Sequence, residues 1–248
     1  MPFNSKNIQE QALLSLAEDI LIQQHPTHFS GDELFVANRA MGFLKDEKFV
    51  KVLNEIAIAP VYKGMAWRVH TLIWAVNNAL KLPGDLVECG VFRGFKSLFI
   101  CKYFEFEKLD RKLWLFDTYE GIAEQYSEGS PINKDEHNKP HLLEFVKDRF
   151  SSFHNVNIVQ GAVPDSLQIQ APEQVSFIHL DMNSYQAEIG ALEFFWPKMP
   201  VGAVVILDDY GFKDFYAQKE KEDEWFEKKG HRVLELPTGQ GMVVKLHD

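Results

Sequence analysis

The sequence predicts a doubly wound α/β fold, with a mostly parallel seven-stranded sheet behind an N-terminal helical extension. Two observations carry this. From Asp85 onward, short and almost wholly apolar segments alternate with helical ones, the pattern of a parallel sheet covered on both faces. Before that point, residues 1–82 show helical apolar spacing and no strand pattern.

Taken in order, residues 8–22, 46–58 and 66–80 place apolar side chains at helical spacing. Pro83-Gly84 stops the last of these and hands over to a strand. Core strands are expected at 86–91, 113–117, 156–161, 175–181 and 203–209. Helices fit between them at 94–103, 141–150 and 187–198. Residues 231–236 and 242–246 flank Pro237-Thr238-Gly239-Gln240-Gly241. They read as two strands about a glycine-rich turn, so an antiparallel strand closes the sheet. The expected organisation is a helical cap over 1–82 and a ligand-binding domain over 83–248, the two forming one structural unit.

A chain of 248 residues supports one sizeable core. Its 46% hydrophobic and 25% charged residues are those of an ordinary globular protein. A net charge of −10 argues against nucleic acid or an anionic membrane as partner. Cys89 and Cys101 form neither a disulfide framework nor a zinc spacing, so a reducing cytoplasm is expected. With no long uncharged apolar run and no basic-then-apolar leader, neither a membrane span nor a signal peptide is expected.

In an open α/β sheet, ligands bind where strands end in loops at their carboxyl edge. Here the strand ends carry Glu88, Asp117, Gly161, Asp181, Asp208 and Asp209. In Glu88-Cys89-Gly90-Val91-Phe92-Arg93-Gly94 the glycines allow a ligand to approach the backbone at a helix N-terminus. The G-x-G-x-x-G dinucleotide spacing is absent. Glu88 would repel a pyrophosphate and suits a ligand ammonium. The competing reading is that the glycines only permit tight packing. Asp117 suits the two hydroxyls of a ribose, or caps the following turn. Gly161-Ala162 leaves room for an adenine, with Gln160 or Asp165 near it. Asp181, Asp208 and Asp209 follow apolar strands, and clustered carboxylates repel one another unless a cation neutralises them. An all-oxygen set suits Mg²⁺; helix caps or surface carboxylates are the alternative.

These stretches resemble the TylF/MycF family of macrocin-type O-methyltransferases, class I enzymes with a Rossmann-like sheet that need a metal. The resemblance rests on Pro83 to Gly94, on Leu115-Phe116-Asp117-Thr118-Tyr119-Glu120-Gly121, on His179-Leu180-Asp181-Met182-Asn183-Ser184-Tyr185, and on Ile206-Leu207-Asp208-Asp209-Tyr210-Gly211. The chain departs from the family at Met182-Asn183, where macrolide-sugar enzymes often carry Gly-Asp. The resemblance implies S-adenosyl-L-methionine as cofactor. It would be held by Met65, Glu88, Cys89, Gly90, Val91, Phe92, Arg93, Gly94, Ser97, Asp117, Thr118, Gly161, Ala162 and Asp181. It also implies Mg²⁺ on Asp181, Asp208 and Asp209.

The expected reaction is Mg²⁺-dependent methylation of a small-molecule hydroxyl, on a sugar or a natural-product vicinal diol. Positioning and easier deprotonation supply the rate. Asp181 is a catalytic candidate. His137 and His141, in or beside the polar segment 126–140, are candidate bases; the segment reads as a mobile lid, and both histidines read equally well as plain surface residues. His179, out of phase with Asp181, reads as structural. An NAD(P)-dependent oxidoreductase and a non-catalytic S-adenosylmethionine-binding protein are the competing readings. The apolar faces of the N-terminal helices predict a homodimer.

Overall fold

The computed structural model describes residues 7–133, 135 and 137–247. The chain divides at His70/Thr71 into two compact units. That division falls inside a helix, and Leu72, Ile73, Ala75, Val76 and Ala79 on its second-unit side are buried.

In the first unit, α1 (Ile8–Gln24) starts at Asn7, whose side chain accepts the N–H groups of Gln9 and Glu10. It buries no residue. Strands β1 (His28–Gly31) and β2 (Leu34–Ala37) then form an antiparallel hairpin. This corrects the wholly helical reading of 1–82. The hairpin turns on Asp32 and Glu33, both at positive φ (54° and 57°), where Asn-Gly is the usual signal. Tertiary contacts supply what the turn residues do not. The Arg68 guanidinium bonds both Asp32 carboxylate oxygens, at 2.5 and 3.2 Å. Gly31 packs so closely on Gly64 that a Cβ on Gly31 would sit 2.5 Å from the Gly64 Cα. Helix α2 (Glu47–Ile56), capped by Asp46, buries Phe49, Val52, Leu53 and Ile56 at helical spacing. The short α3 (Pro60–Gly64) follows, and α4 (Ala66–Ala79) crosses the boundary between the units.

The second unit holds the sheet. Its strands are β3 (Asp85–Cys89), β4 (Leu113–Asp117), β5 (Val156–Gln160), β6 (Val175–Leu180), β7 (Val204–Leu207), β8 (Leu234–Glu235) and β9 (Gly241–Val244). They lie in the order β5-β4-β3-β6-β7-β9-β8, and β9 runs antiparallel to both neighbours. The seven strands and the antiparallel closure are those expected. Helices α5 (Phe95–Phe104), α6 (Leu142–Arg149), α7 (Tyr185–Phe195) and α8 (Tyr216–Lys228) connect them.

Every residue of β6 and β7 is buried, which is why these strands read as unbroken apolar runs. One side of the sheet packs Val87, Cys89, Phe116, Ile178 and Val205 with Phe195, Trp196, Trp225 and Phe226. Helix α8 has no counterpart in the sequence reading. It buries Gln218 and Glu222 beside Trp225 and Phe226, so its inner face carries no apolar stripe to detect. Strand order reverses at β3, with β4 on one side and β6 on the other. The loops leaving the carboxyl ends of these strands border the crevice where such sheets take ligands.

Candidate functional site

The loop after β3 is shaped by its neighbours. Gly90 donates its N–H to the Phe116 carbonyl at 2.9 Å, and the Cys89 carbonyl accepts from the Asp181 N–H at 2.8 Å. Gly90 sits at φ 87°, and a Cβ there would lie 2.0 Å from the Asp181 carbonyl oxygen. Phe92 (φ 47°) and Gly94 (φ 68°) complete the turn into α5.

Asp117, at the end of β4, holds that turn in place. Its Oδ2 accepts the N–H groups of Val91 at 2.6 Å and Phe92 at 2.8 Å, and its Oδ1 accepts the Tyr119 N–H at 2.6 Å. The Asp117 carbonyl accepts from the Gly161 N–H at 2.9 Å. Three loops, after β3, β4 and β5, are thereby knitted around one residue, bringing together Gly90 to Gly94, Asp117, Thr118, Gly161 and Ala162. Thr118 donates to the Gly121 carbonyl. The cap role weighed for Asp117 is present, through Tyr119. Thr118 Oγ1 lies 3.5 Å from the Asp117 Oδ1 but donates to Gly121 at closer range, so of the about four acceptor positions of a carboxylate the one beside Thr118 is the one a ligand hydroxyl would take. The Tyr119 hydroxyl is buried with no hydrogen-bond partner among the described residues; burial, then Asp117 and Glu88, push its pKa up. A half-buried carboxylate, a loop of exposed curvature and an orphaned hydroxyl fit an adenosine-bearing cofactor.

Arg93 is exposed, its guanidinium 5.6 Å from the Phe92 ring centre and 6.0 Å from that of Phe145. Met65 follows α3 in the first unit. The segment after β4 is tied down at several points. The Tyr126 hydroxyl donates to Asp165 at 2.9 Å, and Ser184 Oγ donates to the Tyr126 carbonyl at 2.5 Å. His137 meets the Phe92 ring edge-on at 5.0 Å, whereas His141 is the exposed residue that starts α6. The structure thus sets only His137 against the β3 loop.

A buried polar network lies beneath these loops. Glu88 and His179 are abreast in β3 and β6, so their side chains share a face. The Glu88 carboxylate accepts from Ser97 Oγ and lies 2.8 Å from His179 Nδ1. His179 Nε2 is 3.2 Å from Asp208 Oδ1, which also accepts from Gln240 Nε2 at 3.0 Å. Burial alone would lower the His179 pKa, but the hydrogen bonds to Asp208 and Glu88 prevail and push it up to about 9. The ring lies between the two carboxylates, within hydrogen-bond distance of both. Glu88 is 3% exposed, with both oxygens engaged by protein groups. A ligand ammonium would share Glu88 with Ser97 and His179. Ser97 points into the same network and the Cys89 side chain into the core, leaving only the Cys89 backbone at the loop.

Lys96 is the residue the sequence reading missed. Its Nζ lies 2.6 Å from Asp181 Oδ2 and 2.5 Å from Asp208 Oδ2. A signal existed: Lys96 and Ser97 are the polar residues in Phe95-Lys96-Ser97-Leu98-Phe99-Ile100-Cys101, a run buried throughout. A helix buried all round leaves its lysine no water to reach. Burial raises the Asp181 pKa, while Lys96 opposes the rise.

The Mg²⁺ expectation meets this geometry directly. His179, Asp181 and Asp208 offer ligand atoms within 4.8 Å of one another, and Asp209 is not in that group. Both His179 nitrogens are engaged, and the Lys96 ammonium is hydrogen-bonded to the two carboxylates that would face the ion. As arranged, these residues do not fit Mg²⁺.

The fold is the one class I methyltransferases share. The chain belongs to the macrocin O-methyltransferase (TylF) family, whose profile matches residues 64–226. It is similar to the 8-demethyl-8-(2,3-dimethoxy-alpha-L-rhamnosyl)-tetracenomycin-C 4'-O-methyltransferase of Streptomyces olivaceus, 30% identical over 156 residues. That match covers 58% of this chain and 60% of the relative, so the chain spans less than two thirds of the relative's length. The mycinamicin III 3''-O-methyltransferase of Micromonospora griseorubida is 26% identical over 196 residues, covering 70% and 76% of the two chains. Among solved structures, the O-methyltransferase NovP superposes with a TM-score of 0.65 at 23% identity, over 79% of this chain and 88% of that one. The last likeness is one of fold.

Proposed function

We propose that the chain methylates a hydroxyl of a small molecule, a sugar or another natural-product alcohol, using S-adenosyl-L-methionine. The observation that carries this reading is the clamp that Asp117 places on the β3 loop, joined to the β5 loop through Gly161. The bound cofactor would supply an electrophilic methyl group on sulfur. The remaining acceptor position of Asp117 takes a ribose hydroxyl, and the backbone around Gly90 admits the chain of the ligand. Asp181, with a side chain 23% exposed, is the carboxylate that borders the crevice. As the methyl C–O bond formed and the C–S bond broke, with S-adenosylhomocysteine leaving as the neutral thioether, Asp181 would take the proton of the acceptor hydroxyl, and burial makes it the stronger base. His137, seated on Phe92, is the second candidate for that proton.

Two further features support the wider reading. Helix α1 buries nothing and exposes Ile8, Leu13, Leu16 and Ile20, which favours a homodimer through this face. Cys89 and Cys101 are buried and unpaired, which suits a cytoplasmic setting. Among the described residues no helix is long and apolar enough to cross a membrane.

Calorimetry with S-adenosylhomocysteine against NAD⁺ tests the cofactor, and transfer of labelled methyl to a panel of glycosides and catechols tests the reaction. Binding of NAD⁺ in preference to S-adenosylhomocysteine would sink the reading.

A further inference from the structure

We propose that Lys96 is the built-in cation of this site, and that its ammonium occupies the place of a divalent ion between Asp181 and Asp208. The activity part of this inference rests on the methyltransferase reading; the metal-binding part does not.

The argument is one of complete pairing. Asp208 is buried, and protein groups reach both its carboxylate oxygens: Lys96 at one, His179 and Gln240 at the other. Gln240 is itself held, its Oε1 accepting from Thr238 Oγ1 at 3.0 Å. Asp181 gives Oδ2 to Lys96. Three carboxylates, Glu88, Asp181 and Asp208, are gathered about Lys96 and His179. A buried carboxylate pair demands a counter-charge, and here the chain provides it from the first turn of α5.

A divalent ion would have to expel the ammonium. Lys96, 9% exposed, would then sit beside a dication without its carboxylates. Mg²⁺ also needs near-octahedral oxygens and keeps several waters, whereas the neighbouring ligand here is an imidazole with both nitrogens bonded. A tethered ammonium requires neither. Its hydrogen bond to Oδ2 orients Asp181 and leaves Oδ1 for the acceptor hydroxyl. Lys96 is therefore a positioning residue, and methyl transfer proceeds without a divalent metal.

The test uses the full chain and Mn²⁺ as the probe, followed by electron paramagnetic resonance of the free ion. Wild type should show no saturable Mn²⁺ site below millimolar concentration. Its melting temperature should not move with Mg²⁺ or with EDTA. Lys96→Met, which keeps the stem and removes the charge, should gain one Mn²⁺ site at least tenfold tighter than any in wild type. Lys96→Met combined with Asp208→Asn should lose it again. A single saturable Mn²⁺ site in wild type that Asp208→Asn abolishes overturns the proposal, and that measurement holds even where Lys96→Met does not fold. Methyl transfer by EDTA-dialysed wild type should equal that of the untreated protein, and a tenfold loss restored by Mg²⁺ equally overturns it. S-adenosylhomocysteine calorimetry on the same samples keeps failure of the methyltransferase reading distinct from failure of the Lys96 assignment.

Discussion

Asp117 accepts the backbone N–H of Val91 at 2.6 Å across 26 residues of sequence, so a side chain at the end of β4 sets the curvature of the loop after β3. Asp117→Ala removes that clamp together with the proposed ribose contact. Losing a hydrogen bond to a charged group costs about 1.5–3 kcal/mol, so S-adenosylhomocysteine should bind roughly 10- to 150-fold more weakly. The melting temperature should fall as well, because three backbone N–H groups lose their acceptor. Wild-type affinity in a folded variant, measured by calorimetry, removes Asp117 from the cofactor site.

Gly90→Ala should be severely destabilising. The added Cβ meets the Asp181 carbonyl oxygen at 2.0 Å, and both segments are tied by backbone hydrogen bonds, Gly90 to Phe116 and Asp181 to Cys89. Positive φ alone costs about 1–3 kcal/mol, and the clash adds to it. Urea unfolding that shows less than about 1 kcal/mol of loss would mean the loop relaxes more readily than its hydrogen bonds suggest.

Asp181→Asn should separate chemistry from binding. Loss of a general base lowers kcat by about 10²–10⁴, while cofactor affinity should stay near that of wild type. His137→Ala should cost less than tenfold. If the two results exchange places, the proton goes to His137 and Asp181 only orients the acceptor.

Glu188 and Glu222 give the fold a pH dependence. Both are buried, Glu188 on α7 and Glu222 on α8, and one oxygen of each lacks a hydrogen-bond partner among the described residues. Burial, and then their proximity, push Glu188 well above its usual range; burial pushes Glu222 up to about 7. An acid with a raised folded pKa stabilises the native state while protonated. Its contribution is whole below the ordinary value of 4.5 and is lost as pH rises through about 7. Wild type should therefore lose stability between about pH 4.5 and pH 7, on the order of 3 kcal/mol for a shift of this size. Glu222→Gln should flatten that slope and raise stability at pH 8. An unchanged slope in chemical denaturation at the two pH values would show that the pair does not share a proton.

The homodimer reading is tested on α1. Leu13 and Leu16 are 67% and 57% exposed and lie three residues apart on one face. Leu13→Glu with Leu16→Glu should convert a sedimenting dimer to monomer and leave the sheet unit folded. A wild-type monomer at micromolar concentration ends the assembly proposal.

The strands were legible because their environment is uniform. Residues 175–180 and 204–207 are buried on both faces, so burial writes itself into sequence as an apolar run. The ligand edge was legible for the related reason that Asp117, Asp181 and Asp208 follow such runs directly. The hairpin at β1–β2 was not, since its turn lacks glycine and depends on Arg68, 36 residues away from Asp32. Helix α8 was hidden by the polar residues it buries.

By itself the sequence determined the sheet, the glycine-bearing loop after β3 and the set of acids at the strand ends. Those follow from local periodicity and from the rule that polar groups leave a core where strands stop. Only the tertiary structure decided what neutralises those acids. Lys96 stands 85 residues from Asp181 and 112 from Asp208 along the chain, and charge compensation is a matter of distance in space. The same holds for Glu88, which sits at the expected edge by sequence, yet in three dimensions bonds Ser97 and His179 behind the loop. Apolar burial is a property of each residue; pairing of buried charges belongs to the fold.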